Sequence, residues 1–519
     1  MNLGKQATAE GTKKIAAKHP ELTYGELGRT GLLVSQAGFG GYRISIAHES
    51  QYKALQQALN SGINLIDTSS NYADGDSERL IGKVLTDLVQ QEKLRREEVV
   101  IVTKSGYISS DVSDVSYPDL IAFNETLKYC IHPDFLRDQI TGSLERLQLA
   151  KIDCYLLHNP EYYYLWAQQE GIAKNEADEE FSRRIELAFQ YLESEVAAGR
   201  IGCYGISSNT FAADETAYER VLLEGVSRIA EKVSPNHHFQ LIELPLNVFE
   251  TAAATSVDSK TGQTLLQLAK QQGLAVLTNR PLNVALENTL RRLVEVTGEE
   301  FRNIELLVAQ VNEVMKMENA FRQNFIMELT DEELSQPDLF KGLTSGEVLQ
   351  KHWYTFDSFW HWQDVRGHYF NPVIQHSLDL LTVRQTMSRG MKQWIDAYVE
   401  LLNSLFTNIT NYYRGKEMKR VVRDKLMIAN CGDVDWQIEG SLSQMAIRVV
   451  RSTAGVDSVL VGMRDVDYVQ DVLIELRCGV RKLPRQSSWQ LLKEKVQQNA
   501  DDELSLLAQQ LTEEDGNRT

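Results

Sequence analysis

The chain has 519 residues, a formal net charge of −18, 43% hydrophobic residues and 24% charged residues. That is an ordinary globular composition on more chain than one compact core holds, so two domains or one domain with a large insertion is expected. The acidic balance excludes nucleic acid and anionic membrane surfaces as general partners.

The first twenty residues, MNLGKQATAEGTKKIAAKHP, lack the apolar stretch of a secretory signal and read as a polar tail. No run of about 18 apolar residues follows, so no membrane-spanning segment is expected. From residue 36 short apolar runs alternate with amphipathic stretches. The strand candidates are QAGFGG (36–41), INLID (63–67), VVIVTK (99–104), IDCYLLH (152–158), IGCYGIS (201–207), FQLIE (239–243), LAVLTN (274–279) and VDSVLVG (456–462). Each is continuously apolar, the pattern of a parallel strand buried on both faces. Between them SQYKALQQALNSG closes at Gly62, HPDFLRDQITGSLERLQL carries apolar residues at helical spacing, and TGQTLLQLAKQQG closes at Gly273. Eight strands alternating with helices predict an α/β fold of the TIM type, a (β/α)8 barrel. An open doubly wound sheet is the alternative, but no GxGxxG follows the first strand.

The alternation breaks after LTNRPLN (277–283) and resumes at SLSQMAIRVVRSTAG (441–455). Residues 284–440 are expected to form an all-α insertion domain on the barrel's C-terminal face, with Thr330 and Glu333 making a capping box. Its aromatic run KHWYTFDSFWHWQDVRGHYF (351–370) reads as helical core, with a substrate lid as the alternative. His352, His361 and His368 lack the spacing of a metal site. The basic run YYRGKEMKRVVRDK (412–425) reads as a solvated helix face, with contact to an acidic substrate or a phosphate as the alternative. Residues 481–519 read as a polar tail with one helix near 487–511. Five scattered cysteines form no CxxC pair and no Cys/His cluster, so neither a disulfide frame nor a metal site is expected, and a reducing, cytoplasmic setting fits.

In such a barrel the C-terminal strand ends line the catalytic mouth. Asp67 ends strand two, Lys104 strand three and His158 strand four, while Tyr72 lies in the loop after strand two. A carboxylate, an ammonium, an imidazole and a phenol therefore converge on one rim. The stretches YGELGRTGLLVSQAGFGG, INLIDTSSNYADGDSERLIGKVL, VVIVTKSGY, SLERLQLAKIDCYLLHNPE, GRIGCYGISSNTF and GVDSVLVGMRDVDYVQDVL resemble the aldo-keto reductase family, over about 21–283 and 441–480. By that resemblance Asp67, Tyr72, Lys104 and His158 fall on the family's catalytic tetrad. The chemistry suits the residue types. Hydride addition to a carbonyl leaves charge on oxygen that must take up a proton. A phenol of pKa about 10 is a poor donor until a nearby ammonium eases release of its proton. Asp67 would hold Lys104, and His158 would orient the substrate oxygen.

The resemblance also implies a nicotinamide cofactor across the same mouth. Ser208 and Asn209, with Ser207 as the alternative, fall where the carboxamide is held. Glu243 stands where the family has a glutamine, and Asn279 and Arg280 stand where an aromatic residue often stacks. Gly462 and Arg464 would take the adenosine-side phosphates, and Asp471 the adenine amino group. Arg464 favours NADP, with NAD as the alternative. The expected function is an oxidoreductase interconverting a carbonyl (aldehyde, ketone or sugar) and an alcohol. A cofactor-binding regulatory protein with little turnover, its insertion recruiting a protein partner, is the other reading.

Overall fold

The computed structural model describes residues 3–108, 116–286, 289–336, 338–383 and 387–499. The eight apolar runs form eight strands: β1 (Ala37–Gly40), β2 (Leu65–Asp67), β3 (Val100–Ser105), β4 (Ile152–His158), β5 (Ile201–Ser207), β6 (Phe239–Pro245), β7 (Ala275–Asn279) and β8 (Ser458–Val461). Every neighbouring pair is parallel, strand order follows chain order, and β8 pairs with β1 to close the barrel. This is the (β/α)8 architecture. Inside it, Leu65, Val100, Val102, Cys154, Leu156, Cys203, Leu241, Ala275, Leu277 and Leu460 pack into one core. Each large aliphatic side chain removed from water there contributes about 1.5–3 kcal/mol. The antiparallel hairpin Tyr24–Glu26 with Leu33–Ser35 adds Leu27 and Val34 to that core.

The N-terminal segment is not a loose tail. Ala9–Lys18 is a helix, α1, capped by Thr8 Oγ1, which accepts from Gly11 N at 3.0 Å. Its backbone approaches the 96–98 turn so closely that a Cβ on Gly11 would lie 2.1 Å from the Glu97 carbonyl oxygen. Ile15 is buried. The helical period of two or three small and apolar residues, masked by lysines, accounts for the difference from expectation.

By contacts the chain forms two units, Met1–Leu282 with Met427–Thr519, and Asn283–Leu426. The second unit is therefore shorter than the expected 284–440. Trp436 explains why the last stretch groups with the barrel residues. It is fully buried, donates from Nε1 to Ser452 Oγ at 3.1 Å, and packs edge-on against Trp489 at 5.5 Å. Trp489 sits on a helix over 486–499 and donates to Thr453 Oγ1 at 2.9 Å, so residues 481–499 are docked rather than a tail. The rest of the expected 487–511 helix lies outside the described residues.

The second unit is mostly helical, with Ile304–Asn324, Ser345–His352, Phe359–Val365, Asn371–Thr382 and Arg389–Ala429 as its main helices. It opens with a hairpin, Asn283–Leu286 against Thr289–Arg292, which the all-helical reading missed. The Thr330–Glu333 capping box is present. Trp353, Trp362 and Phe370 of the aromatic run join Trp394, Tyr398 and Phe406 in this unit's core, and Trp362 Nε1 donates to Thr410 Oγ1 at 2.8 Å. In the basic run Lys419 pairs with Glu300 at 3.0 Å, Arg420 with Glu417 at 3.1 Å and Lys425 with Glu295 at 2.8 Å. The core reading of the aromatic run holds, while the basic run is a salt-bridged and partly buried helix face rather than a solvated one. No helix among the described residues is long and apolar enough to cross a membrane.

Candidate active site

Side chains alternate along a strand, so each inward aliphatic position predicts the next one, two residues on. Continuing the interior face past Leu65, Val102, Leu156, Leu241 and Leu277 gives Asp67, Lys104, His158, Glu243 and Asn279. The ladder supports this. Ser207 pairs across with both His158 and Glu243, and Lys104 pairs with Leu156, so these positions share a face. A polar layer thus caps the apolar barrel core at the C-terminal strand ends, and all of it except Asn279 is buried.

Lys104 is the centre of that layer. It is 0% exposed, and its ammonium contacts Asp67 Oδ1 and lies 2.9 Å from Glu243 Oε2. Glu243 Oε1 in turn accepts from Asn279 Nδ2 at 2.8 Å. Four strands are joined through one ammonium. Burial works against the Lys104 charge, but the two carboxylates outweigh it and hold the group protonated well above its usual range. Burial, with Glu243 adding to it, raises Asp67 despite the counter-ion.

Tyr72 follows β2 on a tight turn in which Ala73 and Asp74 adopt positive φ of 48° and 52°. The Lys104 ammonium lies 5.5 Å from its ring centroid and the His158 ring 5.9 Å, edge to face. Among the described residues its hydroxyl has no hydrogen-bond partner. Its pKa is raised, because burial, Asp67 and Glu243 together exceed the opposing pull of Lys104. The sequence-based expectation of a net-acidified phenol is corrected here, and the second carboxylate is part of the cause. His158 is held neutral, first by burial and then by the ammonium. Its Nδ1 lies 3.1 Å from Ser69 Oγ, which also contacts the Lys104 carbonyl oxygen at 2.9 Å. Tyr107 packs edge-on to His158 at 4.8 Å and to Tyr162 at 5.3 Å, and Phe123 extends the wall. Tyr107, Phe123 and Tyr129 sit in or beside a small antiparallel sheet of 107–108, 121–122 and 128–129, which the sequence reading did not anticipate.

The remaining site candidates are placed unevenly. Ser207 lies on the inward face, whereas Ser208 Oγ pairs with Thr210 Oγ1 at 3.3 Å and Asn209 is exposed. Arg280, with φ of 54°, pairs with Glu250 at 2.8 Å. Gly462 and Arg464 are exposed after β8, at the start of the helix Val466–Leu476. A Cβ on Gly462 would meet nothing within 4 Å, and Arg464 has no partner among the described residues. Asp471 departs from expectation. Its carboxylate is engaged by Ser441 Oγ at 3.0 Å, by Ser443 Oγ and by Gln444 Nε2 at 2.8 Å, tying two helices together. The cluster of donors on the preceding helix, invisible in a local window, accounts for the difference.

Glu161, three residues past His158, was missed by the sequence reading. It is 2% exposed, and its Oε1 accepts from Asn209 N at 2.8 Å. Its Oε2 and the Tyr129 hydroxyl are both buried without partners among the described residues. Burial pushes this carboxyl up to about 7, against the Asn209 N–H that favours the charged form. A carboxyl raised on folding stabilises fully below its unfolded pKa of about 4.3, and that stabilisation is lost as pH rises through about 7. The difference is roughly 4 kcal/mol. Glu161→Gln keeps an acceptor for Asn209 N and removes the buried charge. It is expected to raise the melting temperature at pH 8 and to flatten the decline between pH 5 and pH 8, as read by scanning calorimetry.

Residues 36–282 match the model of the aldo/keto reductase family. That stretch belongs to the aldo/keto reductase family. Curated relatives match the chain in part. They include an NADH-specific methylglyoxal reductase of Escherichia coli, 30% identical over 25% of this chain and 40% of its own. A 6-dehydroglucose reductase of Novosphingobium aromaticivorans is 26% identical over 40% of this chain and 59% of its own. An L-galactose dehydrogenase of Arabidopsis thaliana is 26% identical over 50% and 65%. The chain thus spans about half the length of the curated relatives it matches, from 40% to 65%. A solved aldo-keto reductase from Bacillus halodurans aligns with a TM-score of 0.35 at 17% identity, over 73% of this chain and 96% of that one.

Proposed function

We propose that the protein is an NADP-dependent reductase of aldehydes, ketones or sugars in which Tyr72 donates the proton. The observation that carries this reading is the meeting of Tyr72, Lys104, Asp67 and His158 in one layer at the barrel mouth. The cofactor, when bound, supplies the hydride. Tyr72 hands its hydroxyl proton to the substrate oxygen as negative charge develops there. Lys104 supports the phenolate left behind, and Asp67 keeps the ammonium in place. With the Ser69 hydroxyl donating to the Lys104 carbonyl oxygen, Nδ1 of the neutral His158 ring donates to Ser69, and Nε2 is left as an acceptor for the O–H of the alcohol form of the substrate. A phenol held protonated is in the state that a proton donor needs at neutral pH.

The residues fit a dinucleotide. Among the described residues Asn279 Oδ1 is buried with no partner and Arg464 has none beside the helix N-terminus, while Gly462 fronts open space. The helix N-terminus there is already capped by Asp465, whose carboxylate accepts from Asp467 N at 3.0 Å, so the Arg464 guanidinium is the group that suits a 2′-phosphate. The test is cofactor absorbance followed across a panel of aldehydes, ketones and sugars; absence of turnover with all of them would overturn the reading. For the cofactor, Arg464→Ala is expected to weaken NADP binding about tenfold and to leave NAD unchanged. Equal losses for both would remove that role.

A further inference from the structure

Glu243 and Asn279 hold the unusual part of this site. A carboxylate on β6 cannot donate a hydrogen bond, so it cannot serve a carboxamide oxygen as an amide side chain would. Here both of its oxygens are already engaged, Oε2 by Lys104 at 2.9 Å and Oε1 by Asn279 at 2.8 Å. Because an ionised carboxylate only accepts, the Asn279 atom facing it must be Nδ2. The amide orientation is therefore set by chemistry and not by choice. It follows that Oδ1 points away from Glu243, and this oxygen is buried without any partner among the described residues. An orphaned carbonyl oxygen in a polar layer costs about 1–3 kcal/mol unless something arrives to satisfy it.

We propose that Asn279 Oδ1 accepts a hydrogen bond from the carboxamide N–H of the nicotinamide, with Glu243 orienting the Asn279 amide for it. This rests on the cofactor reading above. In consequence, carboxamide recognition has moved one strand over, from β6 to β7, while the β6 carboxylate serves as the link between the cofactor-holding amide and Lys104. Glu243 is thus a positioning residue. It lets one buried ammonium hold both the Tyr72 side and the nicotinamide side of the mouth.

The test compares binding of NADP with its 3-acetylpyridine analogue, in which an acetyl group keeps the carbonyl but lacks the N–H. Binding is read by titration calorimetry on the full chain, with no turnover needed. Asn279→Ala is expected to raise the Kd for NADP about fivefold and to leave that for the analogue unchanged. Glu243→Gln, close in shape, frees the Asn279 amide to flip and is expected to shrink the discrimination in the same direction. It also serves should Asn279→Ala fail to fold, which its calorimetric melting would reveal. Equal losses for both dinucleotides, or no loss for either, would overturn the assignment while leaving the cofactor reading intact. Failure of the wild-type protein to bind either dinucleotide would sink both.

Discussion

Tyr72→Phe is expected to lower carbonyl reduction about 10²- to 10⁴-fold, with cofactor affinity and thermal stability close to wild type. The size follows from general acid catalysis being removed while hydride donation and substrate orientation remain. The unchanged stability follows from the hydroxyl having no hydrogen-bond partner among the described residues, so that Phe leaves no buried polar group behind. The pH profile adds a second readout. Because Tyr72 is held protonated by burial and by the carboxylates of Asp67 and Glu243, wild-type reduction should show no alkaline limb from this group near neutrality. Rates and binding are measured on the same preparation, by cofactor absorbance and calorimetry. A variant that keeps more than about a tenth of wild-type turnover is incompatible with Tyr72 as the proton donor.

Lys104→Met should have the largest combined effect. It removes the ammonium from between Asp67 and Glu243, leaving two buried carboxylates without a counter-ion. Breaking a buried pair in this way costs about 3–5 kcal/mol, and activity should fall with it. The stability loss has a definite sign with pH. Unpaired buried carboxylates take raised pKa values, so the folded state regains stability as pH falls and the groups bind protons. Chemical denaturation should therefore show a deficit at pH 8 that narrows at pH 5. Adding Glu243→Gln should restore part of the stability at pH 8 and none of the activity, since only the uncompensated charge has been removed. A double variant no more stable than the single one would mean that Glu243 is not held by Lys104.

The contrast among site residues shows what a linear reading reaches. Asp67, Lys104 and His158 were legible because each ends an apolar run, and a strand end in a barrel is a place as well as a residue. Glu243 and Asn279 end runs in the same way and could have been added to the catalytic layer by the same count of two. Their pairing with Lys104 could not, since it joins β3, β6 and β7 through the closure of the sheet. Glu161 carried no local signal. Its importance depends on the loop after β4 folding against the turn after β5, and on one oxygen having no partner among the described residues. Asp471 misled for the opposite reason, because Ser441 and Gln444, on the preceding helix, claim it.

By itself the sequence determined the barrel, the order of its strands, the residues at their tips and the extra helical segment after β7. Periodicity and chain order encode these directly, through alternation along strands and spacing along helices. Only the tertiary structure decided which charges meet. The net raising of the Tyr72 pKa, the sharing of Lys104 between two carboxylates and the orphaned oxygen of Asn279 all depend on distances across the barrel. Electrostatic and hydrogen-bond energies vary over a few ångströms in a low-dielectric interior, and no pattern along the chain records those separations.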